Sequence, residues 1–109
     1  PRTVWPCFEI QELCCSPMAR LELDFLFEIK RIGEDPRTIM EVLARDFGLT
    51  VEREGWPRAA EIAATLSWTR DPFDRLITAH ALVWGWPLLS RDRSIRQWYR
   101  HAFWEEVPV

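Results

Sequence analysis

Asparagine is absent from the 109 residues, and lysine occurs once, at Lys30, beside 13 arginines. That imbalance resembles a coding bias and says nothing of function. Cysteine is scarce: Cys7, Cys14 and Cys15 are odd in number, two are adjacent, and no CxxC or Cys/His zinc spacing accompanies them. A disulfide framework and a structural zinc site are therefore not expected, and the thiols are read as buried, as free cysteines commonly are. Histidine is limited to His80 and His101. His80 falls inside an apolar helical stretch and reads as a core or groove residue, not a metal ligand. No apolar run approaches the roughly 18 residues of a membrane helix, since the stretch from 79 to 89 is interrupted by His80 and Gly85. No basic run followed by an apolar core opens the chain, so a cytoplasmic location is expected.

What is present describes a folded domain. The chain is 48% hydrophobic and 28% charged, too apolar for disorder and long enough for one domain only. Its net charge of −3 is unevenly spread. Residues 1–69 hold eight basic and twelve acidic groups, whereas residues 70–101 hold six arginines against Asp71, Asp74 and Asp92. The C-terminal third is where a polyanion would be received, although a solvated face explains the same charges.

Apolar periodicity alternates between helical and short strand-like segments. Leu13 to Cys15 reads as a strand feeding a helix capped at Ser16-Pro17, with Leu21, Phe25, Leu26, Ile29 and Ile32 as its apolar face and a stop at Gly33. Asp35-Pro36 opens a second helix that ends at Gly48, before a strand at Leu49 to Val51. A helix from Pro57 to Leu66 follows, and Asp71-Pro72 then opens another that stops at Gly85. Leu88 to Ser90 is a strand, and a last helix through Ile95, Trp98 and Tyr99 precedes a final strand at Ala102 to Trp104. Trp84, Trp98 and Tyr99 sit at spacings expected of core aromatics. Strands separated by helices imply parallel pairing, and the expectation is an α/β domain, doubly wound in three α/β/α layers.

In such folds the functional edge lies beyond the carboxyl ends of the strands. Glu22, Asp74 and Asp92 fall there, on three separate elements. Carboxylates without His or Cys are the ligand set of a hard divalent ion such as Mg²⁺ or Mn²⁺. Each acid also has a plain structural role. Asp71 and Asp92 suit N-caps, Asp74 suits a helix first turn, and spacing alone does not separate Glu22 from Asp24 or Glu28.

The strings that carry these acids are Ser16-Pro17-Met18-Ala19-Arg20-Leu21-Glu22-Leu23, Arg70-Asp71-Pro72-Phe73-Asp74-Arg75-Leu76-Ile77 and Leu89-Ser90-Arg91-Asp92. In this order they resemble a PIN domain of the VapC toxin type, from Leu13 to Trp104. The resemblance implies a Mg²⁺- or Mn²⁺-dependent endoribonuclease of a bacterial or archaeal toxin–antitoxin system, hydrolysing RNA phosphodiesters. It implies Glu22, Asp74 and Asp92 as catalytic metal ligands, Asp71 as an accessory acid, a VapB-like antitoxin as partner, and a homodimer. Arg75, Arg91, Arg93 and Arg96 are candidate contacts to RNA phosphates, because guanidinium forks suit phosphate.

The sequence departs from the family pattern at its start, where a first strand ending in a metal-binding aspartate has no counterpart. Residues 1–12 read as the helix before the second strand, and with Pro1 in place of Met the expectation is an N-terminally truncated PIN-like domain. The family's strand order is 3-2-1-4-5, so the missing strand would separate the second strand from the fourth. Two rival classes follow. One is a catalytically inactive PIN-like fragment acting through antitoxin or self-association, and the other is a nucleic-acid-binding module resting on the arginine-rich third.

Overall fold

A computed structural model describes residues 12–104. Cys7 and nearly all of the helix expected over residues 1–12 lie outside the described residues. Nine elements follow in order: β1 (Cys14–Cys15), α1 (Pro17–Glu28), α2 (Pro36–Phe47), β2 (Thr50–Val51), α3 (Trp56–Ala63), α4 (Pro72–Trp84), β3 (Leu88–Leu89), α5 (Arg93–Trp98) and β4 (Ala102–Phe103). The chain is α/β, with parallel strands as the alternation of elements predicts.

The strands pair as β1 with β2 and β3 with β4, and among the described residues the two pairs form separate two-stranded sheets. One continuous sheet is therefore not what the described residues build. The Thr50 and Glu52 amides donate to the Leu13 and Cys15 carbonyls at 3.1 and 2.9 Å, and the Leu88 and Ser90 amides to His101 and Phe103 at 3.1 and 2.9 Å. Strands this short gain little from their ladders, so packing by the helices must hold them in place.

Capping residues set the helix starts. Ser16 Oγ accepts from the Met18 amide, and Asp35, Asp71 and Asp92 cap α2, α4 and α5 in the same way. Each cap satisfies an amide that the helix itself cannot pair. Gly85 ends α4 with φ +68°, and the Gly85 and Trp86 amides return to the Leu82 and Ala81 carbonyls. That double return is available because glycine adopts the left-handed conformation without penalty.

The main core lies between α3 and α4, where Ala59, Ala63, Leu66 and Ala79 are buried beneath Trp56, Ile62, Trp68, Leu76, Leu82 and Val83. Three alanines at this contact let the helix backbones approach closely. A second buried group, Ile95, Tyr99 and Phe103, fixes α5 and β4. The Tyr99 hydroxyl donates to the Trp86 carbonyl at 2.7 Å.

Four expectations are corrected. Helix α1 ends at Glu28 and not at Gly33, because Lys30 takes φ +63° and the Arg31 amide turns back to the Leu26 carbonyl. Its apolar face is only partly covered: among the described residues α1 fully buries no side chain, Leu26 is half-buried, and Leu21, Phe25 and Ile29 are exposed. Cys14 is exposed and Cys15 half-buried, since β1 is too short and too near the surface to bury both faces. Tyr99 is core, whereas Trp84 and Trp98 are each 42% exposed. Those two indoles instead stack on Trp86 and Trp68, with centroids 5.6 and 5.4 Å apart.

Candidate functional site

Three local structures bring acids together. Asp71 precedes Pro72, whose fixed φ suits the first helical position, and Asp71 Oδ1 accepts from the Phe73 and Asp74 amides at 2.8 and 3.4 Å. Asp74 is thereby held in the first turn of α4, half-buried. Asp92 Oδ1 caps α5 by accepting from the Ile95 amide at 2.9 Å, while its own amide donates to Ser90 Oγ at 3.1 Å. Glu22 stands in the second turn of α1, one turn before Phe25, whose ring lies 5.6 Å from that of Phe73. This aromatic contact joins α1 to α4 beside the acids.

Electrostatics report the convergence. Burial pushes the Glu22 carboxyl up, and the negative charges of Asp74, Asp71 and Asp92 push it further. Asp74 is raised from its ordinary 3.8 to about 6, by burial first and then by Asp71 and Asp92. Both causes disfavour the ionised form. The charges acting on Glu22 and Asp74 are other acids, and no arginine is among them. Among the described residues, however, no three acidic, histidine or cysteine side chains converge closely enough to hold a metal ion as they stand. The four acids share an electrostatic neighbourhood and not a preformed coordination shell.

The four arginines fall differently. Arg75 Nε donates to the Thr69 carbonyl at 2.7 Å, which braces the loop leading into α4. Arg96 Nη2 donates to the Arg91 carbonyl at 3.2 Å, and the Arg91 guanidinium lies 5.5 Å from the centre of the Trp104 ring. Arg93 is exposed and forms no ion pair with a described residue.

A second polar centre has no counterpart in the sequence analysis. Glu52, just after β2, accepts at Oε1 from His80 Nε2 (2.7 Å), Trp84 Nε1 (2.8 Å) and the Gly55 amide (2.8 Å), and at Oε2 from the Glu54 amide (2.8 Å). With these donors, led by His80, the carboxyl falls to about 2. His80 is buried as expected, and its Nδ1 has no hydrogen-bond partner among the described residues. A Cβ at Gly55 would lie 2.7 Å from Trp84 Nε1 and 2.8 Å from Glu52 Oε1, so the centre requires glycine there. The legible signal was the pair His80 and Trp84, four residues apart on one helix face, which offers two N–H donors to one acceptor.

No protein-family model matches the chain, and no solved structure matches it. Over 96 residues, 86% of the chain, it is 32% identical to Ribonuclease VapC22 of Mycobacterium tuberculosis, and the match covers 62% of that protein. The chain thus spans less than two thirds of the length of this relative. Over most of its length the chain is accordingly similar to a VapC-type ribonuclease.

Proposed function

We propose that this chain carries the catalytic acids of a PIN-fold, VapC-type endoribonuclease toxin. The observation that supports the reading is that Glu22 and Asp74, on separate helices, are both acted on by the charges of Asp71 and Asp92, with no basic side chain among the charges acting on those two. Oxygen donors of this kind fit Mg²⁺ or Mn²⁺. Glu22, Asp74 and Asp92 would hold the ion, with Asp71 as accessory acid. When bound, such an ion supplies positive charge that acidifies a coordinated water and offsets charge on phosphoryl oxygens.

The residues contribute position and charge. Asp71 and Asp92 each commit Oδ1 to a helix cap, which fixes their carboxylates at the helix ends. Asp74 and Glu22 accept no hydrogen bond from a described residue, so their lone pairs stay available. Ionisation of Asp74, disfavoured in the free protein, would be favoured by a cation held beside its acidic neighbours. Arg93, unpaired beside Asp92, is the arginine best placed to meet an RNA phosphate. A VapB-like antitoxin, a homodimer and a cytoplasmic location belong to the same reading, and no helix among the described residues is long and apolar enough to cross a membrane.

The test is cleavage of single-stranded RNA in Mg²⁺ or Mn²⁺, with and without chelator, by this chain and by the complete protein. Cleavage that stops with chelator and in Asp74→Asn supports the reading. Cleavage indifferent to both contradicts it. Association with an antitoxin without cleavage by either form favours the inactive, interaction-only alternative.

A further inference from the structure

A cavity of about 470 Å³ lies on the flank of α1 opposite the acids, lined by Pro17, Arg20, Met40, Val51, Arg53 and Trp56. Its volume falls in the range of about 300–1,000 Å³ usual for small-ligand sites. Four of its six lining residues are apolar, the other two are arginines, and none is acidic. In a chain of net charge −3 that lining is selective. It offers a planar indole face, a methionine and a valine to an apolar ring, and two guanidinium groups to an anion.

Of the two guanidinium groups Arg53 is available, and Arg20 is shared with Asp24. Arg53 is exposed and makes no ion pair with a described residue, because the neighbouring Glu52 carboxylate is turned inward to His80 and Trp84. Arg20 reaches only Asp24, at 3.4 Å, across the outside of α1. The backbone at the cavity is also held. Trp56 begins α3 and packs on the α3–α4 core, and its ring lies 6.0 Å from that of His80. The Glu52 centre fixes residues 52–56, so Arg53 and Trp56 are presented by a braced turn and not by a free loop.

Residues 17 and 20 share one side of α1, whereas residue 22 lies near the opposite side. The N-terminal end of α1 therefore stands between the cavity and the acid cluster. We propose that the cavity binds one nucleotide of single-stranded RNA, its base against Trp56 and its phosphate at Arg20 and Arg53. This rests on the ribonuclease reading above: the occupant is a nucleotide of the same strand a few positions from the phosphate at the acids, and the strand passes over the start of α1. The cavity would then contribute to the choice of cleavage site, since its shape acts on the base.

The probes are adenosine and uridine 5′-monophosphates, with adenosine and inorganic phosphate as controls, titrated into the full chain and followed by NMR of the indole and backbone N–H groups. A monophosphate is expected to shift the Trp56 indole, assigned with Trp56→Phe. Adenosine and phosphate alone should bind at least about tenfold more weakly, and Arg53→Ala, at an exposed position, should weaken the monophosphate at least about tenfold. Shifts confined to Asp74, Asp92 and the α5 arginines, or binding unchanged in Arg53→Ala, overturn the nucleotide site and leave the ribonuclease reading intact. If RNA is not cleaved yet Arg53→Ala still weakens nucleotide binding, the site is supported and only the reaction assigned to the acids falls.

Discussion

Glu52 Oε1 meets His80 Nε2 at 2.7 Å, joining the end of β2 to the middle of α4 across 28 residues of sequence. Both side chains are largely buried, 14% and 6% exposed, and the carboxylate collects three further donors. Removing one partner leaves the other buried without it, which costs more than the bond itself contributes. Glu52→Gln should therefore destabilise by about 1–3 kcal/mol, read as a lower midpoint in urea unfolding at pH 7. The pH dependence has a definite sign. The folded pKa of about 2 lies below the ordinary 4.5, so this stabilisation is complete above pH 4.5 and is lost as pH falls towards 2. An unfolding midpoint in Glu52→Gln equal to wild type would contradict the role given to this centre.

Gly55 tests the same centre sterically. A methyl group there would press on Trp84 Nε1 and Glu52 Oε1, and crowding of this kind costs about 1–3 kcal/mol. Gly55→Ala should unfold at lower urea than wild type, and since Gly55 is the N-cap of α3, where alanine is less favoured than glycine, the capping effect acts in the same direction. An unchanged or raised midpoint would show that Trp84 and Glu52 part without cost.

Asp74 carries the opposite pH signature. Its folded pKa of about 6 exceeds its ordinary 3.8, so the folded state binds the proton more tightly, and stability rises as pH is lowered from above 6 towards 4. Without divalent cations the chain should therefore be more stable near pH 5 than near pH 7. Asp74→Asn should flatten that difference and leave the protein at least as stable at pH 7. Thermal unfolding in chelator at the two values measures both, and equal midpoints in wild type would contradict the burial of Asp74 beside the charges of Asp71 and Asp92.

Asp71 and Asp92 cap helices, and substitution separates that role from the one proposed for them in the site. Asparagine caps helices about as well as aspartate does, whereas alanine costs about 0.5–2 kcal/mol. Asp92→Asn should keep its thermal midpoint and lose divalent-dependent cleavage, while Asp92→Ala loses both. Retained cleavage in Asp92→Asn would reduce this acid to its cap.

Much of the fold was legible because its signals are local. Asp35-Pro36 with Gly48, and Asp71-Pro72 with Gly85, mark α2 and α4 to the residue, since cap chemistry acts within a few residues. The start of α1 was equally clear at Ser16, but its end was not: the left-handed Lys30 carries no glycine or asparagine to announce it. Placing Glu22, Asp74 and Asp92 at the strands' carboxyl ends anticipated that their charges would act on one another, as they do on Glu22 and Asp74, whereas no closely converged ligand group forms among the described residues. The Glu52 centre escaped because it is a long-range contact between a strand end and a helix interior, and a lone Glu before Arg-Glu-Gly has no local signature. Burial of Trp84 was overestimated for a related reason, since periodicity shows which face is apolar and not whether another element covers it.

The central claim is that Glu22, Asp74 and Asp92 act together on a divalent cation. Its most direct measurement is calorimetric titration of Mn²⁺ into the folded chain at pH 7, beside the variants Glu22→Gln, Asp74→Asn and Asp92→Asn. Saturable binding in wild type, weakened at least about tenfold by each substitution while folding is retained, is the predicted result. Absence of saturable binding, or binding that survives all three substitutions, would contradict the account.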